Sequence, residues 1–171
     1  TSNMNCAVAS GSSATDAAYL DAVNRGDMAA AQRMVDEAAK AAGYTEKAYH
    51  GTSKEFDVFK GYAFFFTRDR MTAEAFADLR GGKRVVQAYI KPGKSYKEDF
   101  KGGSWQDMED KLEGLFSKYD SAEFENVWDR TGDTNQLIVW DSNRVKSADP
   151  VTRDDQGNVI PLSQRFNPES S

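Results

Sequence analysis

Histidine and cysteine are almost absent from this chain, which has one of each among its 171 residues. The single Cys6 excludes an internal disulfide, and one Cys with one His would need several carboxylates to complete a zinc site. The sequence has no Gly-x-Gly-x-x-Gly or Gly-x-x-x-x-Gly-Lys segment to hold phosphates, and no Gly-x-Ser-x-Gly nucleophile turn. We therefore expect no metal centre and no serine hydrolase site.

Long hydrophobic runs and an excess of positive charge are also lacking. The longest apolar segments, AFFF and LIVW, have the length of strands, so we expect no membrane-spanning helix and no membrane partner. Acidic residues outnumber basic ones by 27 to 22, and the net charge of -5 gives no general attraction to nucleic acid phosphates. The composition, with 39% hydrophobic residues, is that of an ordinary globular domain.

The pattern along the chain predicts an α+β domain preceded by helices. We expect a flexible N-terminus over 1–14, a helical pair over 15–43, a main domain over 44–162 and a tail over 163–171. Alternation and turn signals predict strands near 47–50, 56–59, 63–67, 84–91, 122–128 and 135–141. Helical spacing predicts helices near 70–80 and 105–119, and the end of the chain predicts a hairpin or a packed tail.

The only histidine, His50, lies in AYHGTS, where a predicted strand runs into Gly-Thr. A lone histidine is most often a hydrogen-bonded core residue. Here Gly51 has no side chain to cover the backbone beside the imidazole, and Thr52 adds a hydroxyl, which suits a planar ligand at a sheet edge. In FFFT, Phe65 takes the strand face opposite its neighbours, and Phe76 lies on the predicted helix that follows. These residues predict a binding cleft beside His50.

The order of four segments, AYHGTSKEFDVF, YAFFFTRDRMTAEAFA, RVVQAYIKPGKSY and NQLIVWDSNRVKSADPV, resembles the ADP-ribosyltransferase superfamily. The similarity is to the His-Tyr-Glu branch found in phage polyvalent and head-morphogenesis (MuF-type) proteins. It implies an α+β fold in which two antiparallel sheets are split around an NAD cleft. It also implies an enzyme that uses NAD as a substrate and transfers its ADP-ribose to a macromolecular acceptor, either protein or nucleic acid.

The resemblance assigns the binding of NAD to His50, Gly51, Thr52, Phe65, Thr67 and Phe76. It implies that the His50 ring hydrogen-bonds a ribose hydroxyl and that the backbone of Gly51 holds the nicotinamide carboxamide. Phe65 and Phe76 would enclose the nicotinamide ring. Both are Phe where the family often has Tyr, which removes a hydroxyl and keeps the face of the ring.

Position 136 departs from the family, because Gln136 stands where the catalytic glutamate is expected. A carboxylate stabilises the positive charge that develops as the glycosidic bond breaks, and a neutral amide does not. We expect its loss to slow the reaction by a factor on the order of 10² to 10³. Three explanations stay open: an introduced silencing change, a natural change in a branch that is inactive or uses another acid, or an error of alignment. In the last case Glu123, Glu125 or Asp133 is the acid.

A second class of function also stays open, in which the chain is a degenerate, non-enzymatic module that binds NAD or forms a structural part of a virion. Gln136 favours this interpretation, whereas the intact His-Gly-Thr and aromatic positions favour a working pocket. The resemblance implies a toxin- or effector-type domain of a longer polypeptide. It would act in the bacterial cytoplasm after phage delivery or expression, or it would be associated with the virion.

Overall fold

The computed structural model describes residues 2–52, 63–79, 84–129, 132–167 and 169, and has the α+β composition expected from the sequence. The described helices are α1 (Ser2–Asn24), α2 (Met28–Ala41), α3 (Arg70–Leu79), α4 (Trp105–Leu112) and α5 (Leu162–Arg165). The described strands are β1 (Glu46–Thr52), β2 (Phe64–Phe66), β3 (Arg84–Ile90), β4 (Ser95–Asp99), β5 (Ser121–Asp129), β6 (Gly132–Val139) and β7 (Val145–Ser147). The predicted strand at 56–59 lies outside the described residues.

These strands form two sheets, with the orders β1-β3-β7 and β2-β6-β5-β4. The first is antiparallel throughout, as expected, but the second is mixed because β4 runs parallel to β5. The expectation of two purely antiparallel sheets is therefore wrong at this edge. The connection from β4 to β5 contains α4, and a helical crossover of this kind is what allows neighbouring strands to run parallel.

The two sheets are linked directly at one backbone bridge. Tyr49 of β1 and Thr67, just after β2, exchange two backbone hydrogen bonds of 2.7 and 2.9 Å. Apolar side chains of both sheets then bury one another in a shared core, formed by Ala48, Phe64, Phe66, Ala88, Ile90, Leu137, Val139 and Val145. The bridge therefore fixes where the two sheets meet.

A second core lies on the far face of the mixed sheet, under α4. Ser104 caps this helix by accepting a hydrogen bond from the Asp107 amide, as its position before Trp105 predicts. The helix buries Met108 and Leu112 against Phe124 of the sheet. This packing holds α4 over the strands β5 and β6.

The N-terminal helical pair packs on the chain's own first sheet. Val35 of α2 and Tyr89 of β3 share a core with Phe166, near the end of the chain. The break between the two helices at Gly26 is confirmed, with φ +73° at this residue. However, α1 begins at Ser2, so it includes residues 2–14, where we expected a flexible N-terminus. This added segment contains no proline, which is the residue that most strongly stops a helix.

The end of the chain also packs onto the body of the protein. A backbone bridge between Arg153 and Val159 closes a short hairpin, and α5 follows. Arg165 and Phe166 are then buried, so the predicted tail begins with residues of the core. In the described ranges, no helix combines the length and the apolar character that crossing a membrane would require.

Candidate functional site

A cavity of about 270 Å³ lies where β1, β2 and β6 meet α3 and α4. The described residues that line it are Tyr49, His50, Gly51, Phe65, Phe66, Thr67, Phe76, Trp105, Met108, Glu109, Asp129 and Gln136. The volume lies just under the range of ~300 to 1,000 Å³ that is typical of small-molecule pockets. The cavity therefore suits a ring with an attached sugar better than a whole dinucleotide.

Six of the residues predicted to form a site meet in this cavity, namely His50, Gly51, Phe65, Thr67, Phe76 and Gln136. They come from different elements that are far apart in the sequence, so the fold itself assembles them. Thr52 ends β1 opposite Arg84, and the predicted role of its hydroxyl falls on a side chain outside the described residues.

The alternative acids are not brought to the cavity. Glu123 and Glu125 take the face of β5 opposite Phe124, which pairs with Gln136. Glu123 instead accepts a hydrogen bond of 2.5 Å from Arg68, whose other nitrogen donates to Glu46 at 3.0 Å. Glu125 is exposed to solvent. Asp133 is exposed as well and is not among the lining residues.

His50 is half-buried and has a defined orientation. Its Nδ1 lies 2.7 Å from the carbonyl oxygen of Phe65. Because a carbonyl oxygen only accepts, Nδ1 carries the proton and Nε2 is the acceptor nitrogen of the neutral ring. The ring also packs edge-on against Phe66, with centroids 5.9 Å apart. An imidazole held in this way can accept a hydrogen bond from a ligand hydroxyl.

Gly51 has a packing reason to be glycine, in addition to the ligand access predicted from sequence. A Cβ at this position would lie 1.9 Å from the carbonyl oxygen of Ala73 and 2.7 Å from the amide nitrogen of Ala77. Backbone atoms of α3 therefore rest directly on β1, which no larger residue would permit. This close approach brings Phe76 of α3 to the cavity.

The amide of Gln136 is buried and held by two acceptors. Its Nε2 donates to Thr134 Oγ1 at 3.1 Å and to Asp129 Oδ2 at 3.3 Å. The Thr134 hydroxyl donates its own proton to the carbonyl oxygen of Val127, at 3.1 Å, so the hydroxyl oxygen is an acceptor for Gln136. This chain of hydrogen bonds fixes which end of the amide faces Asp129.

Asp129 was not predicted as a site residue, and a β-bulge places it there. The pairing of β5 with β6 shifts by one residue between Phe124 and Val127, and Asn126 takes φ +54° in the bulge. Phe124 and Val127 are both fully buried, although their spacing breaks strand alternation. The shift turns Asp129 into the cavity and Trp128 to solvent, where it is 56% exposed. The broken alternation in SAEFENVWD is the sequence signal that identifies it.

The rest of the unpredicted lining comes largely from α4, to which the sequence patterns assigned no chemistry. Trp105 and Glu109 stand one helical turn apart and border the cavity with Met108. Among the described residues, the lining thus holds five Phe, Tyr and Trp rings and the carboxylates of Glu109 and Asp129. Aromatic faces and carboxylates both attract positive charge, so the cavity suits a planar cation.

Two further findings bear on this site. Among the described residues, no group of three or more His, Cys, Asp and Glu side chains is arranged to hold a metal ion. Comparison of the sequence with protein-family models gives no match, and comparison with curated proteins gives no significant match. Any function must therefore be inferred from the residues of the cavity.

Proposed function

We propose that this chain is an ADP-ribosyltransferase of the His-Tyr-Glu type, with NAD as its substrate and a protein or nucleic acid as its acceptor. The observation that carries the proposal is the meeting of His50, Phe65, Phe76 and position 136 in one cavity. The resemblance selects these positions from the sequence alone, so their closeness in space is an independent observation. Two sheets that meet at the Tyr49–Thr67 bridge also support the split-sheet fold of that superfamily.

The character of the cavity supports NAD as the ligand. The nicotinamide ring of NAD is planar and positively charged, and the described part of the lining offers five Phe, Tyr and Trp rings with the carboxylates of Asp129 and Glu109. Cation–π contacts contribute about 0.5 to 2 kcal/mol each, the larger values applying where water is excluded. The dihydronicotinamide ring of NADH is neutral and would make no cation–π contacts. The cavity therefore favours the oxidised cofactor.

The size and the hydrogen-bonding groups of the cavity support a particular placement. A volume of about 270 Å³ suits the nicotinamide and its ribose, with the ADP portion outside. Nε2 of His50 would accept a hydrogen bond from a ribose hydroxyl, and Phe65 and Phe76 would contact the ring. This placement leaves the bond between ribose and nicotinamide close to position 136.

The chemistry follows from that placement. When the bond between the ribose carbon and the nicotinamide nitrogen breaks, its electron pair leaves with nicotinamide, and positive charge develops on the ribose carbon. A nucleophile of the acceptor then bonds to this carbon and loses its proton. The resemblance to phage proteins adds a bacterial cytoplasm or a virion as the place of action, within a longer polypeptide.

Release of nicotinamide tests this function directly. We would measure NAD binding by calorimetry and nicotinamide release by chromatography for the chain and for Gln136→Glu, with NADH as the matched neutral ligand. We expect NAD to bind more tightly than NADH, and at least one of the two forms to release nicotinamide. Binding without release from either form would support the non-enzymatic NAD-binding alternative. Absence of both binding and release would reject NAD as the ligand.

A further inference from the structure

We propose that Asp129 supplies the carboxylate of this site and that Gln136 positions it. The inference rests on the proposed function, since it names the acid that would assist cleavage of NAD. It explains how a chain without glutamate at position 136 would still act as an enzyme. Three features of the structure support it: the hydrogen bonds of Gln136, the bulge in β5, and the surroundings of the other lining carboxylate.

The hydrogen bonds of Gln136 require an amide. Its Nε2 donates to two oxygen atoms, Asp129 Oδ2 at 3.3 Å and Thr134 Oγ1 at 3.1 Å. A glutamate carboxylate in the same place would have no proton to donate to either oxygen and would face the Asp129 carboxylate with like charge. Glutamine is therefore the residue that complements Asp129, and a silencing change would have no reason to meet this requirement.

The bulge in β5 gives Asp129 its direction. If the residues from Phe124 to Asp129 alternated regularly, without a bulge, Asp129 would lie on the face of the sheet opposite Phe124. Bulges occur frequently beside active sites, where they redirect a side chain. Here the redirected side chain is a carboxylate that lines the cavity and contacts position 136.

Glu109, the second carboxylate among the described lining residues, is less suited to this role. Glu109 lies on α4 and is exposed, whereas Asp129 is half-buried and Gln136 is 6% exposed. A charge in contact with bulk water interacts more weakly with a developing charge than one screened from it. The hydrogen bond to the buried Gln136 amide also holds Asp129 in place before the reaction, which is the condition for electrostatic stabilisation of a transition state.

Asp129 would act in both halves of the proposed reaction. As the bond between the ribose carbon and nicotinamide breaks, the electron pair leaves with nicotinamide, and the Asp129 carboxylate stabilises the positive charge left on the ribose carbon. The oxygen of water or of an acceptor hydroxyl then bonds to that carbon, and its proton passes through Asp129 to solvent. With water as the acceptor, NAD and water give nicotinamide, ADP-ribose and one proton.

The test compares nicotinamide release, NAD affinity and melting temperature in the intact chain and in variants at positions 129 and 136. We expect wild type to release nicotinamide and Asp129→Asn to release it at least about 100-fold more slowly, with a loss of NAD affinity at least about tenfold smaller than the loss of rate. Asp110→Asn is the matched control, because Asp110 lies on the exposed side of α4 away from the cavity lining. We expect this control to keep the wild-type rate.

A swapped pair tests the positioning role of Gln136. The double variant Asp129→Asn with Gln136→Glu keeps one amide and one carboxylate in contact, and we expect it to recover at least about tenfold over Asp129→Asn alone. It also keeps the inference testable if Asp129→Asn alone fails to fold. A folded double variant that releases nicotinamide no faster than Asp129→Asn alone would contradict the pairing of residues 129 and 136.

Two results would overturn the assignment of Asp129 while leaving the proposed function standing. One is an Asp129→Asn variant that keeps the wild-type rate. The other is an inert wild type beside an active Gln136→Glu, which would mean that the glutamate was the missing group. Failure of the function itself looks different, because then no form, Gln136→Glu included, would release nicotinamide.

Discussion

The two nitrogens of His50 have separate roles. Nδ1 donates to the Phe65 carbonyl, a contact within the protein that links β1 to β2. Nε2 is the nitrogen that the proposed function assigns to a ribose hydroxyl. A substitution that removes only one nitrogen can therefore distinguish a structural histidine from a ligand-binding one.

His50→Asn is such a substitution, because the asparagine amide replaces Nδ1–H as a donor and has nothing at the position of Nε2. We expect it to weaken NAD binding by about tenfold, the loss of one hydrogen bond worth ~1.4 kcal/mol. The melting temperature of His50→Asn should stay near that of wild type. His50→Ala, in contrast, should lower both the NAD affinity and the melting temperature. Calorimetry and thermal unfolding measure the two effects. Wild-type affinity in His50→Asn would contradict the role of Nε2.

Individual site residues were predictable to different degrees. The flanking residues identified His50 and Phe65, because a histidine before Gly-Thr and three consecutive phenylalanines are visible in the sequence. Asp129 was not found, because it lies one residue past the predicted strand and its direction depends on a bulge. Its partner Gln136 was identified only as a departure from a family pattern. Neither hydrogen bond of its amide follows from the sequence.

At the scale of elements, the contact of α3 with β1 forms one side of the cavity. The helix approaches until the carbonyl of Ala73 and the amide of Ala77 lie over Gly51. Asp69 stabilises the start of this helix, since its carboxylate accepts hydrogen bonds from the Met71 amide and the Thr72 hydroxyl. The position of Phe76 at the cavity therefore depends on an intact and closely docked α3.

Gly51→Ala should separate this helix from the strand. We expect it to lower the free energy of unfolding by about 1 to 3 kcal/mol, because the added methyl would overlap backbone atoms that cannot rotate away. NAD affinity should fall as well, as Phe76 moves. Gly114→Ala is the control, since a Cβ there has no atom within 4 Å. Denaturant unfolding measures both, and equal stability of the two variants would contradict the close contact.

Elements with strong local signals were predictable, and elements defined by distant partners were not. The alternating and apolar segments of β1, β3 and β6 were recognised, with their ends displaced by a few residues. The strand β4 was missed, because SYKED is polar and its only regularity is a parallel pairing with β5. The three-residue β7 was missed as well, since it is too short to show alternation.

At the scale of the whole molecule, buried tyrosines join segments that lie far apart in the sequence. Tyr19 of α1 donates to the Pro150 carbonyl and accepts from Arg165, at 2.6 and 2.9 Å. Tyr44 donates to the Asn143 carbonyl at 2.7 Å. Burial raises the pKa of both hydroxyls, and burial with the hydrogen bond to Asp36 raises the pKa of Tyr89.

These raised pKa values predict a loss of stability in alkali. An unfolded tyrosine ionises near pH 10, whereas the buried ones keep their protons to higher pH. Their contribution is complete below the unfolded pKa and is lost as the pH rises through the folded pKa. We expect the melting temperature to fall from about pH 9.5 upward, and to fall less steeply in Tyr44→Phe. Identical pH profiles would exclude Tyr44 from this effect.

The arrangement of the whole was the least predictable part. The order of elements indicated an α+β domain, but not that its sheets join between Tyr49 and Thr67 or that α4 closes one side of the cavity. The helical pair could have packed on a missing neighbour. It packs on β3 because Val35 and Tyr89 complete one core with Phe166. These three residues are far apart in the sequence, so no local pattern predicts that they meet.

The bulge in β5 also has an evolutionary consequence. Loss of one residue within the bulge, such as Asn126, would leave Val127 opposite Thr134 and Asp129 opposite Gly132, so the side chains beyond the bulge would keep their faces. Loss of Trp128, beyond the bulge, would instead shift Asp129 by one position and turn its carboxylate to the opposite face of the sheet. Deletions at neighbouring positions of β5 would therefore differ in kind, because the first keeps the lining of the cavity and the second removes a carboxylate from it. The bulge is thus a place where β5 can change its length during evolution without any change to the cavity.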